Sequence, residues 1–200
     1  MVDPDRVICL SKQKYGEADL ILRFISSGGD VFSAIAKSAL KSRRRFGGGV
    51  LEPTHHMTIT LSRPLSHYTG GNNDRLPVLT EAQLIDDFAA LKTDYDRLSL
   101  GIEFVRWVGI VAREGDAHRE VFNLLGHALK AAEQSQQLSL LKLHFQIKFL
   151  HLQGMLPLEE RFVPFAKTPI REHELLAERW PQWRSMMSDA QGFLDSYMNI

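Results

Sequence analysis

An α+β chain of two domains, a small β-barrel followed by an all-helical domain, is what this sequence predicts. Three observations carry the expectation. The first 80 residues break into short apolar and β-branched runs separated by Gly- and Asn-containing turns. From residue 86 onward, apolar residues recur at steps of three and four instead. Charge divides along the same line. Residues 1–80 carry 11 Lys and Arg against 7 Asp and Glu, and residues 81–200 carry 13 against 17, although the whole chain sums to zero. The predicted domains are 1–80 and 81–200, the basic one facing a polyanion.

The strands come first. Residues 6–14, RVICLSKQK, open with apolar and β-branched residues, and residues 19–26, DLILRFIS, are apolar with one basic interruption. YGEAD between them reads as a hairpin connection, and SSGGD as a second turn before a third strand at 31–36. In the fourth, 51–62, Met57, Ile59 and Leu61 alternate with Thr58, Thr60 and Ser62, a period of two with one buried face. A polar loop at 64–77 with a Gly-Gly-Asn-Asn tip leads to a last strand near 78–85. Five short strands in about 85 residues suit a closed barrel of OB or SH3-like type, and pattern alone does not separate the two.

The helices follow. Leu98, Ile102, Val105, Val108 and Ala112 mark the first, Val121, Leu125, Ala128 and Ala132 the second, and Leu138, Leu141, Phe145, Phe149 and Leu152 the third. The first and third carry a second apolar face, as central helices of a bundle do. Gly154 and Pro157 are stop signals for the third. The stretch LEERFVPFAKTP reads as irregular, with two shorter helices near 171–179 and 183–198.

No apolar run approaches the roughly 18 residues a membrane span needs. The acidic start MVDPDRVICL is not a secretory signal. Cys9, the single cysteine, makes no internal disulfide and no cysteine-based zinc site. A cytoplasmic location is expected.

The most unusual segment is KSALKSRRRFGGG, where Lys37, Lys41, Arg43, Arg44 and Arg45 fall within nine residues. Three adjacent arginines repel one another and are better tolerated beside a polyanion. Arginine forks match phosphate oxygens, and Gly47, Gly48 and Gly49 let the backbone approach a ligand. Lys12, Lys14 and Arg23 on the preceding strands extend the candidate patch. Tyr15 and Tyr68, in predicted loops, are the stacking candidates for bases. Phe24 and Phe32 are expected in the core, and Phe46 as a plug at the barrel end. The bland alternative is a solvated loop whose cations keep the protein soluble.

Other chemistries find no support. GGG lacks the GxxxxGK[ST] frame, and GxGxxG, HExxH and GxSxG are absent. His55 and His56 are neighbours in a predicted strand and point to opposite faces, so they do not chelate one metal. His144 and His151 read as a packed helix face. No enzyme is expected, and no metal or cofactor.

Three stretches together resemble the bacterial DNA repair family RecO. KYGEADLILRFIS resembles the family's first hairpin with its tyrosine-x-glutamate-x-aspartate turn. AIAKSALKSRRRFGGGVLEP resembles its A-K-G-x-[KR]-K-x-x-S-[RK]-F-x-G-x-L-[EQ]-P segment, the most specific of the three. LLKLHFQIKFLHLQGMLP resembles its G-x-x-P helix end. The resemblance implies an N-terminal OB-fold and a helical domain that bind single- and double-stranded DNA and anneal strands. With RecR, such proteins help load RecA onto DNA coated by single-strand-binding protein, in association with the nucleoid. It also implies that Lys37, Lys41, Arg43, Arg44 and Arg45 lie in the DNA-binding segment. Many relatives carry a four-cysteine zinc site after the helix end; this chain has no cysteine there, so no zinc is expected. The alternative expectation is an adaptor on the same scaffold that docks RecR or single-strand-binding protein and binds DNA weakly, or an OB-type RNA binder.

Overall fold

The computed structural model describes residues 5–62, 76–111, 119–156, 159–179 and 181–198. Two compact units emerge: residues 1–87 with 108–122, and residues 88–107 with 123–200.

The first unit is built on one antiparallel sheet of five strands: β1 (Asp5–Tyr15), β2 (Asp19–Ser26), β3 (Val31–Ala36), β4 (His56–Leu61) and β5 (Leu79–Asp86). Their order is β3-β2-β1-β4-β5. The two edge strands do not meet in a ladder, so the expected closed barrel is not reached. Ile35 and Val78 form a single parallel bridge, with the Ile35 N–H donating to the Pro77 carbonyl at 2.9 Å. Pro77 offers a carbonyl but no N–H, which suits one bridge better than a run of pairs.

Strand β1 changes character halfway. Val7, Ile8, Cys9 and Leu10 are buried, whereas Ser11 to Tyr15 are exposed. The change falls at a bulge between Cys9 and Ser11. There the chain before β4 takes over the pairing: Cys9 N–H donates to the His55 carbonyl (3.0 Å), and Thr54 N–H to the Cys9 carbonyl (2.9 Å). This corrects the predicted strand 51–62, which begins only at His56. Pro53 lacks a donor and Thr54 holds φ 77, a left-handed conformation that a regular strand excludes. Beyond it, Met57, Ile59 and Leu61 are buried on alternate positions, as their period requires.

The unit's core gathers the inner sheet face, including Leu22, Phe24, Phe32 and Met57. Phe24 and Phe32 face each other across the β2–β3 ladder with ring centroids 5.7 Å apart. Ala39, Phe46 and Leu51, from the segment between β3 and β4, join the same core.

Beyond the sheet the described chain is helical, and residues 108–111 and 119–122 of its first two long helices group with the first unit. Helices α2 (Tyr95–Val111), α3 (Arg119–Ala132) and α4 (Leu138–Leu152) appear where the three-four spacing placed them. Three short helices follow: α5 (Val163–Lys167), α6 (Leu175–Arg179) and α7 (Met187–Met198). Helix α5 occupies a stretch expected to be irregular, with Pro164 in its first turn where a missing N–H does no harm. Helix α4 is buried nearly all round, from Leu140 to Leu150. Phe145 stacks on Phe104 with centroids 4.2 Å apart, and Phe149 lies 5.7 Å from Phe145. Gly154 ends α4 at φ 70, and the Met155 N–H returns to the Leu150 carbonyl at 2.9 Å. No helix among the described residues is long and apolar enough to cross a membrane.

Candidate nucleic-acid interface

The cationic segment is an ordered turn rather than an open loop. After β3 the chain bends through residues 37–41, forms one helical turn, α1 (Arg43–Phe46), and continues as a 3-10 turn at Gly47–Gly49. Ser42 caps α1, its hydroxyl accepting from the Arg45 N–H at 3.4 Å. Gly49 at φ 71 reverses the chain, a geometry glycine adopts without a Cβ clash. Phe46 is buried in the sheet core and fastens the turn; with the sheet unclosed, it packs into that core rather than plugging a barrel end. His55, also buried, holds the far end through a 2.9 Å contact from Nδ1 to the Val50 carbonyl.

A second fastening comes from the β1–β2 hairpin. The Ser38 N–H donates to Asp19 Oδ1 at 2.7 Å, and the Leu40 N–H donates to the Ala18 carbonyl at 3.0 Å. Ser38 holds φ 55, unusual for a residue with a Cβ. Two stretches far apart in sequence, YGEAD and AKSALK, are thereby docked on one another. Pattern reading missed Asp19 and Ser38. A signal existed: the family segment quoted above has glycine where this chain has Ser38, and glycine is the residue that accepts positive φ.

The five cations of the segment do not share one role. Lys37, Lys41 and Arg44 are exposed and have no ion-pair partner among the described residues. Arg45 is folded back. Its Nη2 donates to the Lys37 carbonyl at 2.9 Å, its Nε lies 3.3 Å from Ser42 Oγ, and its guanidinium sits 5.2 Å over the Phe46 ring. Arg43 opens α1. Leu40, at the tip, is 53% exposed.

The strand residues divide between two faces. Lys12 and Lys14 pair with Leu22 and Leu20 and continue the core face of the sheet beyond its buried part. Lys12 is engaged by Glu52 in an ion pair of 2.5 Å. Arg23 pairs with Ser11 and Ser33, and Tyr15 with Asp19, on the opposite face. Tyr15 is 56% exposed at the strand end, while Tyr68 lies outside the described residues. Cys9, buried beneath this region, has its thiol pushed up to about 12, first by burial and then by Glu52, which leaves it protonated and unreactive. Among the described residues no group of three or more His, Cys, Asp or Glu is arranged to hold a metal ion.

The arrangement is thus a short, fastened cationic turn at the end of a five-stranded sheet. The family profile described as "Recombination protein O N terminal" matches residues 1–88, the segment that carries all five strands and the turn. The chain is 30% identical over 153 residues to the DNA repair protein RecO of Maridesulfovibrio salexigens, covering 76% of this chain and 59% of the relative. It is 30% identical over 185 residues to that of Syntrophus aciditrophicus, covering 92% and 64%. It is 28% identical over 151 residues to that of Desulfatibacillum aliphaticivorans, covering 75% and 56%. The chain therefore spans about 60% of the length of the curated relatives it matches. The domain these matches share is an OB-fold, here with its sheet unclosed, and over residues 1–88 the chain is similar to the N-terminal domain of the RecO proteins.

Proposed function

We propose that this chain is a non-enzymatic, DNA-binding mediator of recombinational repair. Its first unit binds single- and double-stranded DNA through the turn at 37–46. The observation that supports this most is that Lys37, Lys41 and Arg44 stand exposed and unpaired among the described residues on a turn whose backbone is already fixed. A pre-formed cationic turn loses little conformational freedom on meeting a phosphate chain. Tyr15 supplies a ring for stacking at the neighbouring hairpin. Clustered cations also shield the repulsion between two phosphate backbones, which is the physical requirement for annealing complementary strands. In the same proposal the chain works with RecR to load RecA onto DNA coated by single-strand-binding protein, as the RecO resemblance implies.

The test is a titration of a fluorescent single-stranded oligonucleotide at two salt concentrations. Three contacted phosphates predict roughly a twentyfold loss of affinity between about 50 and 200 mM salt. The variant K37A/K41A/R44A is expected to bind more weakly than wild type at the lower salt and to lose most of this salt dependence, with an unchanged melting temperature. Wild-type binding that is insensitive to salt, or a triple variant that binds normally, contradicts the proposal. Absence of any binding below roughly 10 µM favours the adaptor reading instead, in which DNA affinity is no better than non-specific.

A further inference from the structure

An acidic side chain bonded to the cationic turn, Asp19, is part of its support. By charge alone, a carboxylate beside Lys37 weakens attraction to a polyanion, and removing it strengthens that attraction. The geometry of Asp19 argues the reverse. Its Oδ1 accepts the Ser38 N–H at 2.7 Å, and Ser38 is the residue at φ 55 where the chain leaves β3. A side-chain-bearing residue resists that conformation unless its surroundings hold it. The rest of the turn is built on this pivot. The Lys41 N–H donates to the Ser38 carbonyl at 3.1 Å, and the Ser42 N–H to the Ala39 carbonyl at 3.3 Å. Arg45 then closes the ring by reaching back to the Lys37 carbonyl. Lys37 and Lys41, which flank the pivot, and Arg44 beyond it are exposed because the turn takes this path.

We propose that Asp19 is a positioning residue for DNA binding, fixing the left-handed pivot at Ser38 that presents Lys37, Lys41 and Arg44 as one surface; this rests on the DNA-binding reading above. The inference predicts a sign opposite to simple electrostatics. Asp19→Ala removes a negative charge yet weakens binding, by about fivefold, the size of one charge-assisted hydrogen bond lost at a partly exposed site. Asp19→Asn also removes the charge but keeps an acceptor oxygen, and it binds at least as tightly as wild type. Ser38→Gly placed in the Asp19→Ala background restores most of the affinity, because glycine adopts positive φ unaided.

The experiment measures the affinity of the full chain and these three variants for a fluorescent oligothymidylate at low salt, with far-UV circular dichroism on each. Wild-type binding with an Asp19→Ala variant that binds as tightly or more tightly overturns the positioning role and leaves the DNA reading standing. No binding by wild type overturns both, starting with the DNA reading. If Asp19→Ala is unfolded, the double variant decides: affinity near wild type supports the role, and loss of affinity overturns it.

Discussion

The cationic turn and helix α4 are both ordered, but by opposite means. Helix α4 is held by apolar contact on nearly every side, with nine of its residues buried between Leu140 and Leu150. Burial of this kind is strong and undirected; a ring such as Phe145 is held by the sum of its neighbours. The turn at 37–46 has two apolar anchors, Ala39 and the larger Phe46, and otherwise depends on directed hydrogen bonds to Asp19, Ala18 and Lys37. Directed bonds add little net stability each but fix where side chains point. A helix that serves the core needs the first kind of force. A turn that must keep its charges in water needs the second.

The sharpest way to break the comparison is to remove one anchor from each. Phe145→Ala is expected to destabilise the chain by about 3–5 kcal/mol in a urea titration, since it empties the stacked position beside Phe104. The affinity of the remaining folded molecules for an oligonucleotide is expected to be unchanged. Phe46→Ala is expected to cost somewhat less stability, about 2–4 kcal/mol, because the residue keeps 7% exposure whereas Phe145 is fully buried. Unlike the first substitution, it also lowers affinity, because the turn loses its larger apolar anchor. Equal effects of the two variants on binding would remove the distinction between the regions.

A subtler probe lies on α4 itself. His144 is buried, and its Nε2–H lies between the carbonyls of Phe165 (2.8 Å) and Thr168 (3.1 Å). Its Nδ1 has no hydrogen-bond partner among the described residues. Burial pushes its pKa down to about 3 from 6.5, with Lys148 adding in the same direction. The folded state therefore declines a proton that the unfolded state accepts. The sign follows: stability is unaffected by this group above about pH 7.5 and falls on acidification through 6.5 towards 3, by up to about 1.4 kcal/mol per pH unit. Burial lowers His56 and His173 as well, so they add to the same acid lability. His144→Gln, which keeps a donor, is expected to make the urea midpoint less dependent on pH between about 6 and 4. An unchanged slope rules out His144 as a contributor.

The same contrast explains what could be read in the sequence. Spacing of apolar residues located α2, α3 and α4, and alternation located β4 from Met57 to Leu61, because burial leaves a periodic trace in the chain. The second apolar face of α4 correctly marked it as central. The cationic segment was conspicuous as a cluster, but its internal division of labour was not. Nothing in RRR separates Arg45, folded over Phe46, from the exposed Arg44. Lys12 reads in sequence as an addition to the patch, whereas its partner is Glu52, forty residues away. Composition alone starts β4 too early, because the left-handed Thr54 carries no compositional signature. The open sheet edges are likewise invisible to local pattern, since they depend on where Pro77 meets Ile35.

One consequence concerns chain length. Ala39 and Phe46 both point into the same core, and the exposed cations Lys41 and Arg44 lie between them. The number of residues separating the two anchors is therefore not free, unlike that of most surface connections, where insertions are tolerated. A single residue added or deleted within α1 ahead of Phe46 would rotate that ring about the helix axis by about 100°. It would carry a cation into the apolar interior or Phe46 out of it. This stretch can change its letters more readily than its length.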